Sequence, residues 1–533
     1  MGKLDFYEAE DRPWPNPRLT TASIVGHTTP TSTRIWVRVV APGVNHLYVG
    51  VAKVDSAQRP RPLANAIQLD AGGQSTVHPG FVGSHAFAFR TDLTHVFDVA
   101  GLRPDTTYFY ALFRDADKRP WEMGAIDTLS FRTPAEDPAE LSFGLCSCHM
   151  PYKGDKLQDV SLWDALADEL RDARAAYVVG MGDQVYADGT PSLDIWRWLR
   201  KVKSLGPTDE DMRSWYRDIY RGYWGIAGVR KVFRSFPTYM MWDDHEIKDG
   251  WGSYTDAELS DELDRFFEWE DQAVNLALAN RMRSVAAQIY QEYQHCHNPP
   301  TPADIWHYAF AAGRSATFVL DGRGHRHYES NASTSVLGPK QLQDLRAWFD
   351  RLDAKTQVAF VVSPVPIVHL HTGLVNNGAL NTLNPAGIVD DLRDQWEHAS
   401  HHAERKQLLD ILFAWSHRTG RRVVVLSGDV HAGTAFRLSA PAHPKARVHQ
   451  ITSSGISYAS TPPGLELVAA STGTVAGAGA VRFNRTLDPF TRNNFAIVRV
   501  RFAAADGDPW VAVDFYGRDP GGEGVLKLRR LEI

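Results

Sequence analysis

Between Ser23 and Thr133, apolar and polar positions follow the two-residue rhythm of short, half-buried strands. Thr33–Val39 alternates around Ile35, Val37 and Val39, and Leu47–Val51 is rich in β-favouring residues. Leu102, Pro104 and Thr106 then make a turn leading into Tyr108 and Tyr110. Tyrosines so placed can fold back onto the preceding corner, as in β-sandwiches. The polar, proline-bearing stretch Pro134–Glu140 predicts a linker. Beyond it the rhythm changes to strand, loop, helix. Leu141–Leu145 reads as a strand, and Leu162, Trp163, Leu166 and Leu170 mark one face of an amphipathic helix. Tyr177–Met181, Thr238–Trp242, Ala316–Leu320, Val358–Val362 and Val423–Leu426 are nearly continuous apolar runs. Runs of this kind suit strands covered on both faces. From about Pro191 to Tyr293 the pattern is helical and rich in tryptophan and charge, which predicts an insertion covering or flanking a site.

These elements predict an α/β protein in several parts. An N-terminal extension (residues 1–20) precedes a β-sandwich (21–134). An α/β domain (141–500) carries a helical insertion at about 191–300, and C-terminal strands (501–533) pack on that core. A chain of 533 residues suggests two or three domains. With 43% apolar residues it can bury a large core without disulfide staples.

Charge and cysteine content narrow the function. A net charge of −6 lacks the basic surface that a nonspecific nucleic-acid binder needs, but leaves room for a small anionic substrate at a local cationic site. Three cysteines, Cys146, Cys148 and Cys296, make no disulfide framework. Met1–Pro17 has no apolar core region and no arginine pair, so a cytoplasmic location is expected. No run approaches the roughly 18 apolar residues of a membrane span, so no membrane partner is expected.

The chemistry gathers where the apolar runs end. Four motifs stand there: Cys146-Ser-Cys148-His149; Gly182-Asp183-Gln-Val-Tyr186-Ala-Asp188; Trp242-Asp243-Asp244-His245-Glu246; and Gly428-Asp429-Val-His431. A glycine before the aspartate allows a sharp turn, and strand alternation would put Asp429 and His431 on one side. A single Gly-Asp pair is ordinarily a turn, and a single Asp-Xaa-His a capping feature. Four such motifs at successive predicted strand ends point instead to metal ions, because clustered carboxylates repel unless cations neutralise them. Oxygen donors joined by one imidazole and one thiolate suit two unlike metals. Two ions about 3.5–4 Å apart can share a carboxylate and hold a hydroxide for in-line attack on phosphorus. Cys146 is a second-choice ligand, and Arg326 either reaches phosphate or pairs with an acid. His369 and His371 are read as structural, and His401 and His402 as solvated.

Taken in order with Asp321-Gly-Arg323, these motifs resemble the alkaline phosphatase D (PhoD-like) family of the metallophosphoesterase superfamily, over about residues 20 to 500. The resemblance implies a four-layer α/β/β/α core behind a fibronectin type III or Ig-like sandwich. It implies Fe3+ held by Cys148, Tyr186 and His431, with Asp183 bridging to Ca2+ held by Asp244 and Asp429. Mn2+, Mg2+ or Zn2+ are alternatives at the second position. His245 would assist departure of the leaving oxygen, and Arg323 would grip phosphate oxygens. The expected activity is metal-dependent hydrolysis of small phosphate monoesters or diesters. The alternative is a catalytically weak binding protein that uses its sandwich.

Overall fold

The computed structural model describes residues 21–51, 79–116, 129–153, 156–189, 193–265, 269–328, 334–377, 389–458, 469–504, 507–518 and 524–533. The expected N-terminal extension lies outside them. Seven strands come first: β1 (Ala22–Thr28), β2 (Ser32–Arg38), β3 (Gly43–Val51), β4 (Pro79–Phe87), β5 (Thr94–Ala100), β6 (Thr107–Arg114) and β7 (Ser130–Arg132). They form two antiparallel sheets, ordered β1-β2-β5 and β4-β3-β6-β7. Val25, Ile35 and Val37 of the first sheet share one apolar core with Leu47, Tyr110 and Leu112 of the second. The Tyr108 hydroxyl accepts the Arg103 amide at 2.8 Å and ties the corner to its strand.

The alternation in β2 suggests one wet face, yet Trp36 on that face is also buried. It packs on Tyr293, ring centroids 5.3 Å apart, and donates Nε1–H to the Glu292 carbonyl at 2.9 Å. The covering surface is helical: α2 (Ile195–Val202), α3 (Asp209–Trp224), α4 (Ala227–Phe233), α5 (Asp256–Asp264) and α6 (Gln272–Tyr293), which follow α1 (Ser161–Asp172). The stretch expected as an insertion, about 191–300, is interrupted by a core-sheet strand, Thr238–Met241. A capping box between Thr208 and Asp211 starts α3. Contact between sandwich and insertion is close enough that a Cβ on Gly26 would lie 2.3 Å from the His297 carbonyl oxygen. The same interface buries Asp92, whose carboxylate accepts Arg38 Nε at 2.9 Å, Arg221 Nε at 2.8 Å and the Tyr293 hydroxyl.

Two further sheets build the larger part of the molecule. In one, β8 (Glu140–Cys146), β11 (Tyr177–Met181) and β12 (Thr238–Met241) run parallel; a small hairpin, β9 (Tyr152–Lys153) and β10 (Lys156–Leu157), lies between them in sequence. The other sheet comprises β13 (Tyr308–Ala312), β14 (Ser315–Val319), β15 (Val358–Ser363), β16 (Arg422–Ser427), β17 (Gly433–Ser439), β18 (Arg447–Ser453), β19 (Thr472–Thr474) and β20 (Arg482–Phe490). Its β14, β15, β16 and β18 are parallel. The chain then returns as β21 (Asn494–Arg501), β22 (Trp510–Arg518) and β23 (Val525–Glu532), completing the order β12-β11-β8-β21-β22-β23. Strand β21 begins before residue 501, where C-terminal strands were expected, and pairs directly with β8.

The two sheets face each other. Leu145, Val179, Val362 and Leu426 share one core, with Phe143 edge-on to Phe360 at 5.1 Å and Tyr239 stacked on Phe310 at 3.8 Å. Outside the first sheet, α1 packs Leu162, Leu166 and Leu170 against Val178. Outside the second, α7 (Gly338–Arg351) and a later helix (His402–Thr419) pack Leu342, Leu345, Leu408 and Leu412 against Val361, Val423 and Val425. The buried strand runs are apolar throughout because each strand is covered on both sides. No helix among the described residues is long and apolar enough to cross a membrane.

Candidate metal centre

The carboxyl ends of the parallel strands converge where the facing sheets meet. After β8 and β11 the chain is cross-tied: the Cys148 amide donates to the Gly182 carbonyl at 3.3 Å and the His149 amide to the Asp183 carbonyl at 2.8 Å. Gly182 has φ +94° and its Cα lies so near Asp243 that a Cβ would sit 2.7 Å from the Asp243 Cβ. Both requirements demand glycine there. Gly428 is needed for a different reason. Its backbone is not left-handed, but a Cβ would fall 2.6 Å from Ser147 Oγ and 2.7 Å from the Met181 carbonyl oxygen.

Strand alternation does not bring Asp429 and His431 together. Strand β16 ends at Ser427, and both residues take left-handed backbones, φ 63° and 50°. Two successive i→i+2 backbone bonds, Val430 to Gly428 at 2.9 Å and His431 to Asp429 at 2.8 Å, curl the chain around the site. Cys148 and Asp183 are left-handed too, φ 55° and 54°. Non-glycine residues adopt this conformation at a cost, and such strain concentrates where the surrounding fold imposes a particular side-chain position.

The side chains so placed form overlapping sets. Donor atoms of Cys148, Asp183 and His431 lie within 4.8 Å of one another, as do those of Asp183, Asp244 and His245, and those of Asp183, Asp243 and Asp429. Asp183 belongs to all three. Its Oδ2 lies 3.3 Å from Cys148 Sγ and 3.1 Å from the Tyr186 hydroxyl, which is 3.4 Å from His431 Nε2. Burial, followed by the neighbouring carboxylates, pushes the Asp183 carboxyl well above its usual range, even though His245 pulls it down. Burial and adjacent carboxylates do the same at Asp429, and burial raises the Cys148 thiol. Burial also lifts Asp243 to about 7, with Arg323 opposing and Asp244 adding to the rise. Asp183 Oδ1 and Asp243 Oδ2 are buried without a hydrogen-bond partner among the described residues. Crowded carboxylates with unfilled oxygens, a thiolate-capable cysteine, a phenol and an imidazole fit metal cations.

His245 is half-buried beside this cluster. Its Nδ1 meets Asp188 Oδ1 at 2.7 Å, while Nε2 is 3.9 Å from Asp249 Oδ1. Burial opposes a charge on this ring, but Asp188, Asp244 and Asp183 outweigh it and push its pKa well above the usual histidine value.

Arg323 does not take the phosphate-gripping position expected for it. The side chain is fully buried, and Nε and both terminal nitrogens are engaged in hydrogen bonds. Nε donates to Asp243; one terminal nitrogen donates to the Trp251 carbonyl at 3.0 Å and to Asp394 Oδ1 at 2.6 Å. The other donates to Asp394 Oδ2 at 2.7 Å and lies 3.5 Å from Asp244 Oδ1. Arg326 is likewise buried on Asp394, at 3.2 Å. His401 is not solvated: it is buried and donates Nε2–H to the Arg393 carbonyl at 2.6 Å, while His402 is half-buried. His369 is buried and His371 exposed, and Cys146 joins none of the three ligand sets. His149 is locked between Ser457 Oγ at 2.6 Å and the Trp163 indole N–H at 3.1 Å.

Several residues beyond the expected ligands also matter here. Glu246 accepts the amides of Asp183, Gln184 and Asp243 at 3.1, 2.7 and 2.8 Å, binding two strand ends together. Asp394 clamps Arg323, and Gln395 Nε2 donates to Asp429 Oδ2 at 3.2 Å. The turn after β18 brings Ser454 and Tyr458 to the cysteine and histidine.

A family model described as PhoD-like phosphatase matches residues 143–506. Alkaline phosphatase D of Bacillus subtilis is 23% identical over 355 residues, covering 63% of this chain and 53% of that protein. An uncharacterized protein of Saccharomyces cerevisiae is 24% identical over 356 residues, covering 53% and 48% respectively. The chain thus spans about half the length of the curated relatives it matches. Among solved structures, one described as the structure of PhoD superposes with a TM-score of 0.63 at 16% identity. The match covers 97% of this chain and 90% of that one, and identifies a shared mixed α/β fold.

Proposed function

The chain belongs to the PhoD-like phosphatase family, and from that premise we propose that it hydrolyses phosphate esters at the strand-end cluster with two metal ions. The observation that carries this reading is the position of Asp183, common to three of the four sets of closely grouped donor atoms among the described residues. Cys148, Tyr186 and His431 would hold the softer ion, Asp244 and Asp429 the harder one, and Asp183 both. Iron as Fe3+ suits the thiolate and phenolate; Ca2+, Mn2+, Mg2+ or Zn2+ suits the carboxylates. When bound, the ions supply positive charge to the phosphoryl oxygens and lower the pKa of water to make a nucleophile.

The chain's own groups do the rest. His245, held through Nδ1 by Asp188, would donate a proton from Nε2 to the leaving oxygen. Arg323 acts as a positioning residue, holding Asp243 and Asp394 beneath the site. Substrates are small phosphorylated molecules. Residues 21–134 serve as a fibronectin type III-like sandwich. Residues 141–500 form a four-layer catalytic domain with a helical insertion at about 191–300, and residues 501–533 extend its sheet. A cytoplasmic location is part of the same proposal.

The test is an assay of p-nitrophenyl phosphate and bis-p-nitrophenyl phosphate after chelation and re-addition of single metals. Hydrolysis that returns only with metal supports the reading. Equal hydrolysis by the chelated protein sinks it.

A further inference from the structure

Segment Ser453–Tyr458, which follows β18, reaches the cysteine–histidine side of the cluster without supplying a ligand to it. Ser454 Oγ lies 3.1 Å from Cys148 Sγ and accepts the His431 amide at 3.1 Å. Asp183 Oδ2 and the Asp429 carbonyl oxygen, at 3.3 and 3.5 Å from Sγ, can only accept, and the Ser147 and Tyr186 hydroxyls are neighbours of the same sulfur. The Ser454 hydroxyl can donate to a thiolate. A hydroxyl can accept from the His431 N–H and donate to sulfur at once, which links the two residues through one atom.

The imidazole of His431 is held differently. Metal-binding histidines ordinarily donate their second ring N–H to a carboxylate, carbonyl or water, and that bond fixes the ring. Among the described residues Nδ1 of His431 has no such partner. The Tyr458 ring lies instead flat on the imidazole, centroids 3.5 Å apart and planes 18° from parallel. Asn494 Nδ2 donates to the Ser454 carbonyl at 2.6 Å, and Ile456 and Ser457 amides donate to the Ser147 and Cys148 carbonyls at 3.0 and 3.5 Å. The segment is therefore anchored to β21 and to the cysteine-bearing turn.

We propose that Ser454 and Tyr458 are positioning residues for the softer metal ion: Ser454 fixes the sulfur of Cys148 against His431, and Tyr458 fixes the plane of the His431 ring. This rests on the two-metal reading above. Purified protein loaded with Zn2+ or Fe3+ is challenged with excess chelator, and metal release is timed for the parent, S454A, Y458F and Y458L. Melting of the metal-free variants is recorded alongside. Release from S454A and Y458L is expected to be about 10–100-fold faster, the usual cost of losing support behind a ligand. Y458F, which keeps the ring, should behave like the parent, and the metal-free melting temperatures should stay within a few degrees. S454A within twofold of the parent, or Y458L no faster than Y458F, overturns the inference while leaving the two-metal reading intact. A parent that takes up no metal overturns both.

Discussion

Asp183 and Asp92 are both buried aspartates in left-handed backbone, each at the centre of a charged cluster. Their environments are opposite. Burial opposes ionisation at both, but at Asp92 the guanidiniums of Arg221 and Arg38 outweigh it and hold the carboxyl at about 2. At Asp183 His245 pulls the carboxyl down, but burial together with Asp244, Asp243 and Glu246 outweighs it and drives the carboxyl upward. The chain has thus built one acidic cluster neutralised by arginines and another in which carboxylates outnumber the nearby imidazole. The first joins the sandwich to the insertion. In the second, Arg323 is committed to Asp243 and Asp394, and among the described residues no arginine pairs with Asp183 or Asp429. A buried anion that the fold does not neutralise is a place for a cation from solution.

Removing the central carboxylate from each cluster should separate the two roles. Asp183→Asn removes the proposed shared metal ligand, and loss of several kcal/mol of charge stabilisation should slow hydrolysis by on the order of 10^4-fold. The same change relieves repulsion, so the metal-free variant should melt at or above the parent's temperature in calorimetry. A variant that keeps its activity breaks the assignment of the site. Asp92→Asn should do the reverse. It strands two buried arginines and costs about 3–5 kcal/mol of stability, read by urea unfolding, while folded protein at low temperature keeps parental kcat/KM. If Asp92→Asn abolished activity without destabilising the fold, the clusters would not differ as described.

A sequence reader sees these clusters unequally. The strand ends of the metal centre are legible because apolar runs such as Tyr177–Met181 stop abruptly at Gly-Asp or Asp-Asp-His, and order along the chain stands in for proximity. Asp92 carries no such signal: Arg38, Arg221 and Tyr293 are far from it in sequence and meet it only when sandwich and insertion dock. Arg323 shows the limit from the other side. Its place after a strand-end aspartate reads as near the site, but its partner Asp394 comes from a segment without strand rhythm, so their pairing leaves no sequence signal. Ser454 and Tyr458 were missed because the run before them, Arg447–Ser453, alternates weakly and ends in serines and a glycine. Those residues look like an ordinary turn. His401 was misread because a charged helical run hides one buried face.

His245 tests whether the boundary of the uncompensated cluster does chemistry. His245→Asn should lower kcat about 100-fold for substrates with poor alkoxide leaving groups, within the usual range for a general acid. With p-nitrophenyl phosphate the loss should be much smaller, because that leaving group departs without a proton. Equal losses on both substrates would make His245 a structural partner of Asp188 instead.

The smallest expected effect sharpens the compensated cluster. A carboxyl held at about 2 when folded, against an ordinary value of 3.8, binds fewer protons in the folded state than in the unfolded chain. Its stabilisation is complete above the unfolded value and is lost as pH falls toward 2. Between pH 5 and pH 3 this one group should cost the protein about 1 kcal/mol of stability. In Asp92→Asn that contribution is absent, so the variant's urea midpoint should fall less steeply with acid over this range. Parallel acid limbs for parent and variant would mean that Asp92 is not ionised in the fold, and that its pairing with Arg38 and Arg221 does not distinguish it from Asp183.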